Sequence, residues 1–270
     1  MALFNPANHL LQPASTEAYH FVFCDGRLLL PADEAAPFLP LASGAFDLTQ
    51  AHYLGRLGQH DCWSLTVAAV PEGFRAAPLR AAMMALPNEL MMIAARAGQI
   101  IEWDRAHRFC GVCGTATVHK SGERARVCPS CGHLAYPRIS PAMMCLVWRE
   151  GEVLLARSPN FTPGVYSALA GFVEPGESLE ECVEREVKEE VGVDVVDLQY
   201  YGSQNWPFPH SLMLAFSARW CGGDIVPQPG EIEHAAWFAL DALPPIPPRF
   251  SISGYLIRDQ VKAMGGPDIG

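Results

Sequence analysis

Two Cys-x-x-Cys pairs, Cys110-Gly111-Val112-Cys113 and Cys128-Pro129-Ser130-Cys131, stand 14 residues apart in a stretch with little apolar content. A segment of that size is far too small to hold a fold by core burial alone. Two thiolates separated by two residues on a tight turn can face one ion, and two such turns complete a tetrahedron. Gly114 and Gly132 follow the second cysteine of each pair, where the chain must turn sharply. The spacing predicts a zinc ribbon with Cys110, Cys113, Cys128 and Cys131 as ligands. Two disulfides or four free thiols are the alternatives. Four protein ligands fill the coordination sphere, so the expected Zn2+ is structural and supplies folding energy that the small core lacks. His119 and His133 lie nearby and read as surface residues. Lys120, Arg124 and Arg126 are too few to argue for a nucleic-acid face.

The ribbon divides the chain. Residues 1–107 are expected to form a small N-terminal α+β domain, 108–136 the ribbon and 137–270 a second α+β domain. In the first segment, Tyr19–Cys24 and Arg27–Leu30 flank Asp25-Gly26 and read as a hairpin. Trp63–Val70 is a strand candidate. From Asn88 to about His107 the pattern is helical, with Leu90, Ile93, Ala94, Ala97 and Ile101 at three- and four-residue steps and Asn88 placed to cap the start. In the last segment, Ala142–Trp148 and Glu152–Ala156 read as a strand pair. Leu212–Ala218 and Ala235–Leu240 are later strands, and a proline-rich loop (Pro244, Pro245, Pro247, Pro248) precedes a helix near Ile252–Met264. Mixed strands and helices of this kind suggest an α+β fold or an α/β/α sandwich.

Half of the 270 residues are hydrophobic and 18% are charged, so a packed core is feasible and global disorder is excluded. No apolar run approaches the roughly 20 residues that a membrane span needs. Met1 to Gln12 has neither a basic start nor a long apolar stretch, so no secretory signal is expected and the expected location is cytoplasmic. There the five scattered cysteines (Cys24, Cys62, Cys145, Cys182, Cys221) read as small core residues. The net charge of −10 argues against broad electrostatic binding to nucleic acid.

The densest chemistry lies in the stretch GFVEPGESLEECVEREVKEEVGV, which begins at Gly171. Glu174-Pro175-Gly176 is a turn signal. Ser178 can cap a helix over 178–191, with Glu181 completing a capping box. Leu179, Val183 and Val187 form the buried stripe, and Gly192 ends the helix. Glu186, Glu189 and Glu190 then share a face. Three carboxylates on one face repel one another. A solvated acidic surface is one reading. The other is a site for a hard divalent cation such as Mg2+ or Mn2+, which also draws phosphate oxygens into its shell.

Gly171, then Glu177, then Arg185-Glu186-Val187-Lys188-Glu189-Glu190-Val191-Gly192-Val193 resembles a complete Nudix box. The resemblance implies the Nudix α/β/α sandwich and hydrolysis of a nucleoside diphosphate linked to a further group. It also implies that Glu186, Glu189 and Glu190 are metal ligands, with Glu190 or Glu186 helping water to attack. Glu177 and Arg185 would fix the loop against the helix. The carbonyl of Ala170 would be a further ligand, and Glu231, in Gly-Glu-Ile-Glu, resembles a fourth carboxylate for metal.

Beyond the box, Ser203-Gln204-Asn205-Trp206-Pro207-Phe208-Pro209-His210-Ser211 resembles the SQPWPFPxS signature of the NADH pyrophosphatases, the Nudix branch that also removes NAD caps from RNA. Asn205 departs from it, standing where that branch has proline. The ribbon and Tyr136-Pro137-Arg138-Ile139-Ser140-Pro141 fit the same branch. The resemblance implies that Phe172 and Tyr136 sandwich the adenine, with Tyr136 reaching across a homodimer. It further implies that Gln204, Asn205, Trp206, Pro207, Phe208, Pro209, His210 and Ser211 line the nicotinamide mononucleotide half. Ser253 and Arg80 match substrate contacts.

The expected activity is therefore divalent-metal-dependent cleavage of NAD(H) to nicotinamide mononucleotide and AMP, and of NAD-capped RNA to 5′-monophosphate RNA. A broader Nudix hydrolase acting on ADP-ribose, for which Asn205 speaks, is the alternative within enzymes. A non-catalytic nucleotide or nucleic-acid binding module built on the ribbon is the alternative outside them. The charge fits the first. Residues 171–194 hold nine acids and two bases, −7 of the chain's −10, so the rest of the chain nets only −3. Acidity concentrated where a metal would neutralise it does not exclude an RNA 5′ end.

Overall fold

The computed structural model describes residues 3–269. It separates into two compact units. One contains the chain up to Arg138 together with Pro207–His210, and the other contains Ile139–Trp206 and the chain from Ser211 onward.

The first unit contains β1 (Phe4–Pro6), β2 (Glu17–Cys24), β3 (Arg27–Pro31), β4 (Leu41–Ala42), β5 (His52–Leu57), β6 (His60–Thr66), β7 (Phe74–Ala77), α1 (Leu79–Met84) and α2 (Asn88–Ala106). The strands form one sheet in the order β1-β5-β6-β2-β3-β7, with β4 on β2. The expected hairpin forms. Cys24 pairs with Arg27, and Asp25 and Gly26 have φ of 47° and 72°, the two left-handed residues that a type I′ turn requires. The strand expected over Trp63–Val70 instead spans His60–Thr66, because its parallel partner β2 turns away just past the Phe23↔Thr66 pair. Helix α2 buries Leu90, Ile93, Ala94 and Ala97 and half-buries Ile101. Asn88 is not its cap. Pro87 holds that position without a side-chain hydrogen bond, and Asn88 is the first helical residue.

The ribbon belongs to this unit as a three-stranded antiparallel sheet of β8 (Val118–His119), β9 (Arg126–Val127) and β10 (Leu134–Ala135). Its bases are spent internally. Arg126 donates to Asp104 on α2 and to Thr117. Arg124 donates to the carbonyls of Ala7 and Tyr53, and Lys120 pairs with Glu123 at 2.7 Å. His119 lies on the surface, as expected, with Nε2 at 2.6 Å from Asp104 Oδ1.

The second unit contains β11 (Ser140–Arg149), β12 (Glu152–Arg157), β13 (Leu169–Phe172), α3 (Leu179–Val191), β14 (Asp194–Trp206), β15 (Ser211–Gly222), β16 (His234–Ala239) and α4 (Ile252–Ala263). The sheet order is β14-β15-β11-β12-β16, with β13 on β11. Strand β11 lies parallel to β15 and is apolar on both faces, as a strand covered on both sides must be. Met143, Cys145 and Val147 pack with Val183, Val187 and Val191 of α3. Met144 and Leu146 pack with Leu256, Ile257 and Val261 of α4. The result is the expected α/β/α sandwich. Leu146 is fully buried, and its truncation to alanine would cost about 2–5 kcal/mol. Strand β14 was not anticipated, because register shifts at three points break its alternation. Its end carries Ser203–Trp206, paired with β15. Among the described residues no helix is long and apolar enough to cross a membrane.

Candidate active site

The glutamate helix is built as its local sequence dictates. Ser178 Oγ accepts from Glu181 N at 3.2 Å, and Ser178 N donates to the Glu181 carboxylate at 2.8 Å. This reciprocal capping box satisfies two of the helix's otherwise unpaired amides. Gly192 ends the helix at φ 79°, a conformation that disfavours any side chain. Val183 and Val187 are fully buried and Leu179 is half-buried, so the opposite face is aimed away from that core.

Arg185 is the hub of that face. Its guanidinium donates to both oxygens of Glu177, at 2.6 and 2.9 Å, and to the Phe172 carbonyl at 3.0 Å. It also lies 2.9 Å from Glu186 and 3.0 Å from Glu189. Glu174 N donates to Glu177 at 2.9 Å. Arg185 and this amide hold the Glu177 carboxyl down at about 2, because both favour its charged form. The three carboxylates raise the Arg185 guanidinium above its ordinary range.

Glu190 behaves in the opposite way. It is only 7% exposed, and Oε2 has no hydrogen-bond partner among the described residues. Burial pushes its carboxyl up to about 8, with Glu186 and Glu231 adding to the shift and the Ala170 backbone opposing it. Glu186 is raised as well, first by burial and then by Glu189 and Glu231 against the pull of Arg185. Strand β13 passes close above. A Cβ placed at Gly171 would overlap the Glu186 carboxylate, so the glycine that opens the box makes room for that group. A cavity of about 340 Å³ is lined by Ala170, Glu190 and Glu231. The structure thus brings Ala170, Glu190 and Glu231 to one cavity with Glu186 close enough to act on Glu190 electrostatically, and leaves Glu189 exposed on Arg185.

The remaining expected site residues fall in several places. Phe172 is 55% exposed on β13. Gln204 spends both ends of its amide on the start of α4, donating to Phe250 O at 2.7 Å and accepting from Ile252 N at 2.8 Å. Asn205 pairs with Leu212, and Trp206 with Ser211, across β14 and β15. Ser211 is buried, and Ser253 is buried with its hydroxyl 2.7 Å from that of Ser167. In the first unit, Pro207, Phe208, Pro209 and His210 form the hairpin tip, and the Arg80 guanidinium lies over the Phe208 ring at 4.4 Å. Tyr136 is 53% exposed and donates to Glu123 at 2.7 Å. Ser158, Asn160 and Phe161 also line the carboxylate cavity. Sequence reasoning missed them, because they carry no motif and their place depends on the pairing of β12 with β16.

In the ribbon the four sulfurs converge. Cys110 and Cys131 lie 3.6 Å apart, Cys113 and Cys128 3.5 Å, and Cys113 and Cys131 3.6 Å, all as free thiols. Metal–sulfur bonds of about 2.3 Å in a tetrahedron place sulfurs about 3.8 Å apart, so the set fits one zinc ion. Val112 N and Cys131 N donate to Cys110 and Cys128 Sγ, at 3.4 and 3.5 Å.

The chain matches three family models: a NUDIX domain over residues 138–260, an NADH pyrophosphatase zinc ribbon domain over 105–136, and an NADH pyrophosphatase-like rudimentary NUDIX domain over 17–103. It is 51% identical to the NAD-capped RNA hydrolase NudC of Chromobacterium violaceum, over 92% of this chain and 93% of that one. It is 45% identical to the protein of the same name from Deinococcus radiodurans, over 93% and 90%. A NUDIX hydrolase structure from Nitrosomonas europaea shares the fold at a TM-score of 0.50 and 24% identity, covering 60% of this chain and 96% of that one. The site geometry and these matches converge, and the chain belongs to the Nudix hydrolase family, in its zinc-ribbon-bearing NADH pyrophosphatase branch.

Proposed function

We propose that this enzyme hydrolyses the diphosphate of NAD(H), giving nicotinamide mononucleotide and AMP, and removes NAD caps from RNA to leave a 5′-monophosphate end. The observation that carries this reading is the buried, partly unsatisfied Glu190 beside Glu186 and Glu231, in a chain 51% identical to an NAD-capped RNA hydrolase over 92% of its length.

Three acids brought together with one buried oxygen left unpaired repel one another unless a cation joins them. The set fits a hard divalent ion, Mg2+ or Mn2+, held by Glu186, Glu190, Glu231 and the Ala170 carbonyl, with Glu189 within reach on the same helix face. Such an ion supplies positive charge that stabilises the diphosphate oxygens as a phosphorus–oxygen bond breaks. Glu190 or Glu186, once ionised beside the metal, is placed to take the proton of the attacking water, since burial raises the proton affinity of both. Arg185 and Glu177 position the helix against the β13 carbonyls and so fix where Glu186 points. Phe172 offers an exposed ring on which adenine can stack without reading the rest of an RNA chain.

The division into residues 1–107, 108–136 and 137–270, a homodimer that brings Tyr136 to the site, and a cytoplasmic location belong to the same proposal. The signature positions other than Asn205 support the nicotinamide half as the second determinant, while Asn205 itself favours a broader range that includes ADP-ribose. Side-by-side hydrolysis of NADH, NAD-capped RNA and ADP-ribose at equal Mg2+ or Mn2+ decides between them. The proposal expects kcat/KM to be highest for a nicotinamide-bearing substrate, and a clear preference for ADP-ribose would overturn it.

A further inference from the structure

Strands β12 and β16 pair so that Arg157 lies opposite His234. Past that pair the two chains diverge into loops. Asn160 is three residues beyond Arg157, and Glu231 is three residues before His234. Both loops are tied at their roots. Glu233 N donates to Arg157 O at 2.8 Å, and the side chains of Arg157 and Glu233 pair at 3.1 Å. The register therefore sets Asn160 and Phe161 on one lip of the 340 Å³ cavity that Glu190 and Glu231 share.

The lip is itself folded. Ser158 O accepts from Phe161 N at 3.0 Å, and Ser158 Oγ accepts from Asn160 N at 3.4 Å. Pro159 and Asn160 are the central residues of this turn, and Phe161 closes it. Phe161 is 43% exposed, and an aromatic ring left open beside a polar cavity is a platform for a planar ligand group. Among the described residues the Asn160 carboxamide has no hydrogen-bond partner. A carboxamide presents a donor and an acceptor side by side, and it is matched by any ring edge that does the same. The cavity lies at the low end of the volumes of ligand pockets, about 300–1,000 Å³, so it suits one base with its ribose rather than a whole dinucleotide.

We propose that Phe161 and Asn160 form a base subsite next to the metal carboxylates, Phe161 stacking on one heteroaromatic ring of the substrate and Asn160 bonding the paired donor and acceptor on its edge. This rests on the reading of the chain as a dinucleotide diphosphate hydrolase. Both halves of that substrate carry the required chemistry, nicotinamide in its carboxamide and adenine in its N6 and N7 edge; with adenine on Phe172, nicotinamide is the half expected here.

Calorimetric titration of AMP and of nicotinamide mononucleotide, with Mg2+ present, into the wild-type chain, Phe161→Ala, Phe161→Trp and Asn160→Ala tests it. Loss of a stacked ring is expected to weaken one of the two mononucleotides about tenfold in Phe161→Ala. Phe161→Trp should stay within about threefold of wild type, and Asn160→Ala should weaken the same ligand. The ligand affected identifies the half that occupies the subsite. In NADH hydrolysis the change should fall on KM, with kcat within about twofold. Unchanged affinity for both mononucleotides in Phe161→Ala would overturn the proposal, and so would a loss for both accompanied by a loss of Mg2+ binding. If the wild-type chain binds but hydrolyses no dinucleotide, the hydrolase reading fails, and the titration still decides the subsite.

Discussion

Replacing Gly171 with alanine separates the site from the fold. The added Cβ would overlap the Glu186 carboxylate and meets no backbone atom among its nearest neighbours. The obstacle is the far end of a flexible side chain, so Glu186 yields and β13 stays. Restoring an ordinary carbon contact moves the carboxylate on the order of 1 Å. A displacement of that size at a catalytic group costs about a hundredfold in turnover. The stability cost is confined mainly to the Arg185–Glu186 pair at 2.9 Å, which is partly solvated. Such pairs contribute about 0.2–1 kcal/mol, or a Tm change of at most about 4 °C for a domain of this size. The assay is nicotinamide mononucleotide release from NADH, with thermal unfolding and Mg2+ titration in parallel. Wild-type turnover in Gly171→Ala would refute the claim that Glu186 must sit where it does. A Tm loss above about 10 °C would show that the glycine serves the fold instead.

Binding of Mg2+ or Mn2+ at pH 7 should release close to one proton, because the Glu190 carboxyl, raised to about 8 in the metal-free chain, must give up its proton to act as a ligand; calorimetry in two buffers of different ionisation enthalpy reads this, and Glu190→Gln should abolish it. The same shift means that the metal-free chain loses stability as pH rises from the ordinary carboxylate range through about 8, visible as a falling Tm without added metal. Glu177 works with the opposite sign. Its carboxyl is held at about 2, so its contribution is complete above about 4.5 and is lost as pH falls toward 2; in Glu177→Gln the acid branch of the Tm profile should be shallower. Cys128→Ser, or chelation, should remove one zinc per chain and lower Tm, because the ribbon has little core besides its metal. Mg2+ should not restore that stability, as metal analysis beside thermal unfolding will show.

The parts of this molecule that are legible in sequence are those fixed by local rules. Ser178, Glu181 and Gly192 bound α3 because capping chemistry acts within a few residues. The four cysteines converge because their spacing alone sets the knuckles. The burial of Glu190 was not legible, since an acid on a helix looks like any solvated acid until the loop bearing Glu231 closes beside it. Asn160 and Phe161 were hidden for a related reason, as their place depends on which strand β12 meets. Strand β14 escaped because its bulges break the alternation that marks a strand. The N-terminal segment, which matches a rudimentary NUDIX domain model, carries no box that would have revealed it, and its helix α1 passed unnoticed. Asp104, which gathers Arg126 and His119 from the ribbon, was silent in sequence because its partners lie 15 and 22 residues away.

The most direct test of the central claim is product analysis of NADH and NAD-capped RNA after incubation with the wild-type chain and with Glu190→Gln, in Mg2+ or Mn2+. The wild type should yield nicotinamide mononucleotide together with AMP from the first and 5′-monophosphate RNA from the second. Glu190→Gln should fold with an unchanged circular dichroism spectrum and release product slower by orders of magnitude. Near-normal turnover in Glu190→Gln, or no nicotinamide mononucleotide from the wild type with either metal, would contradict the account.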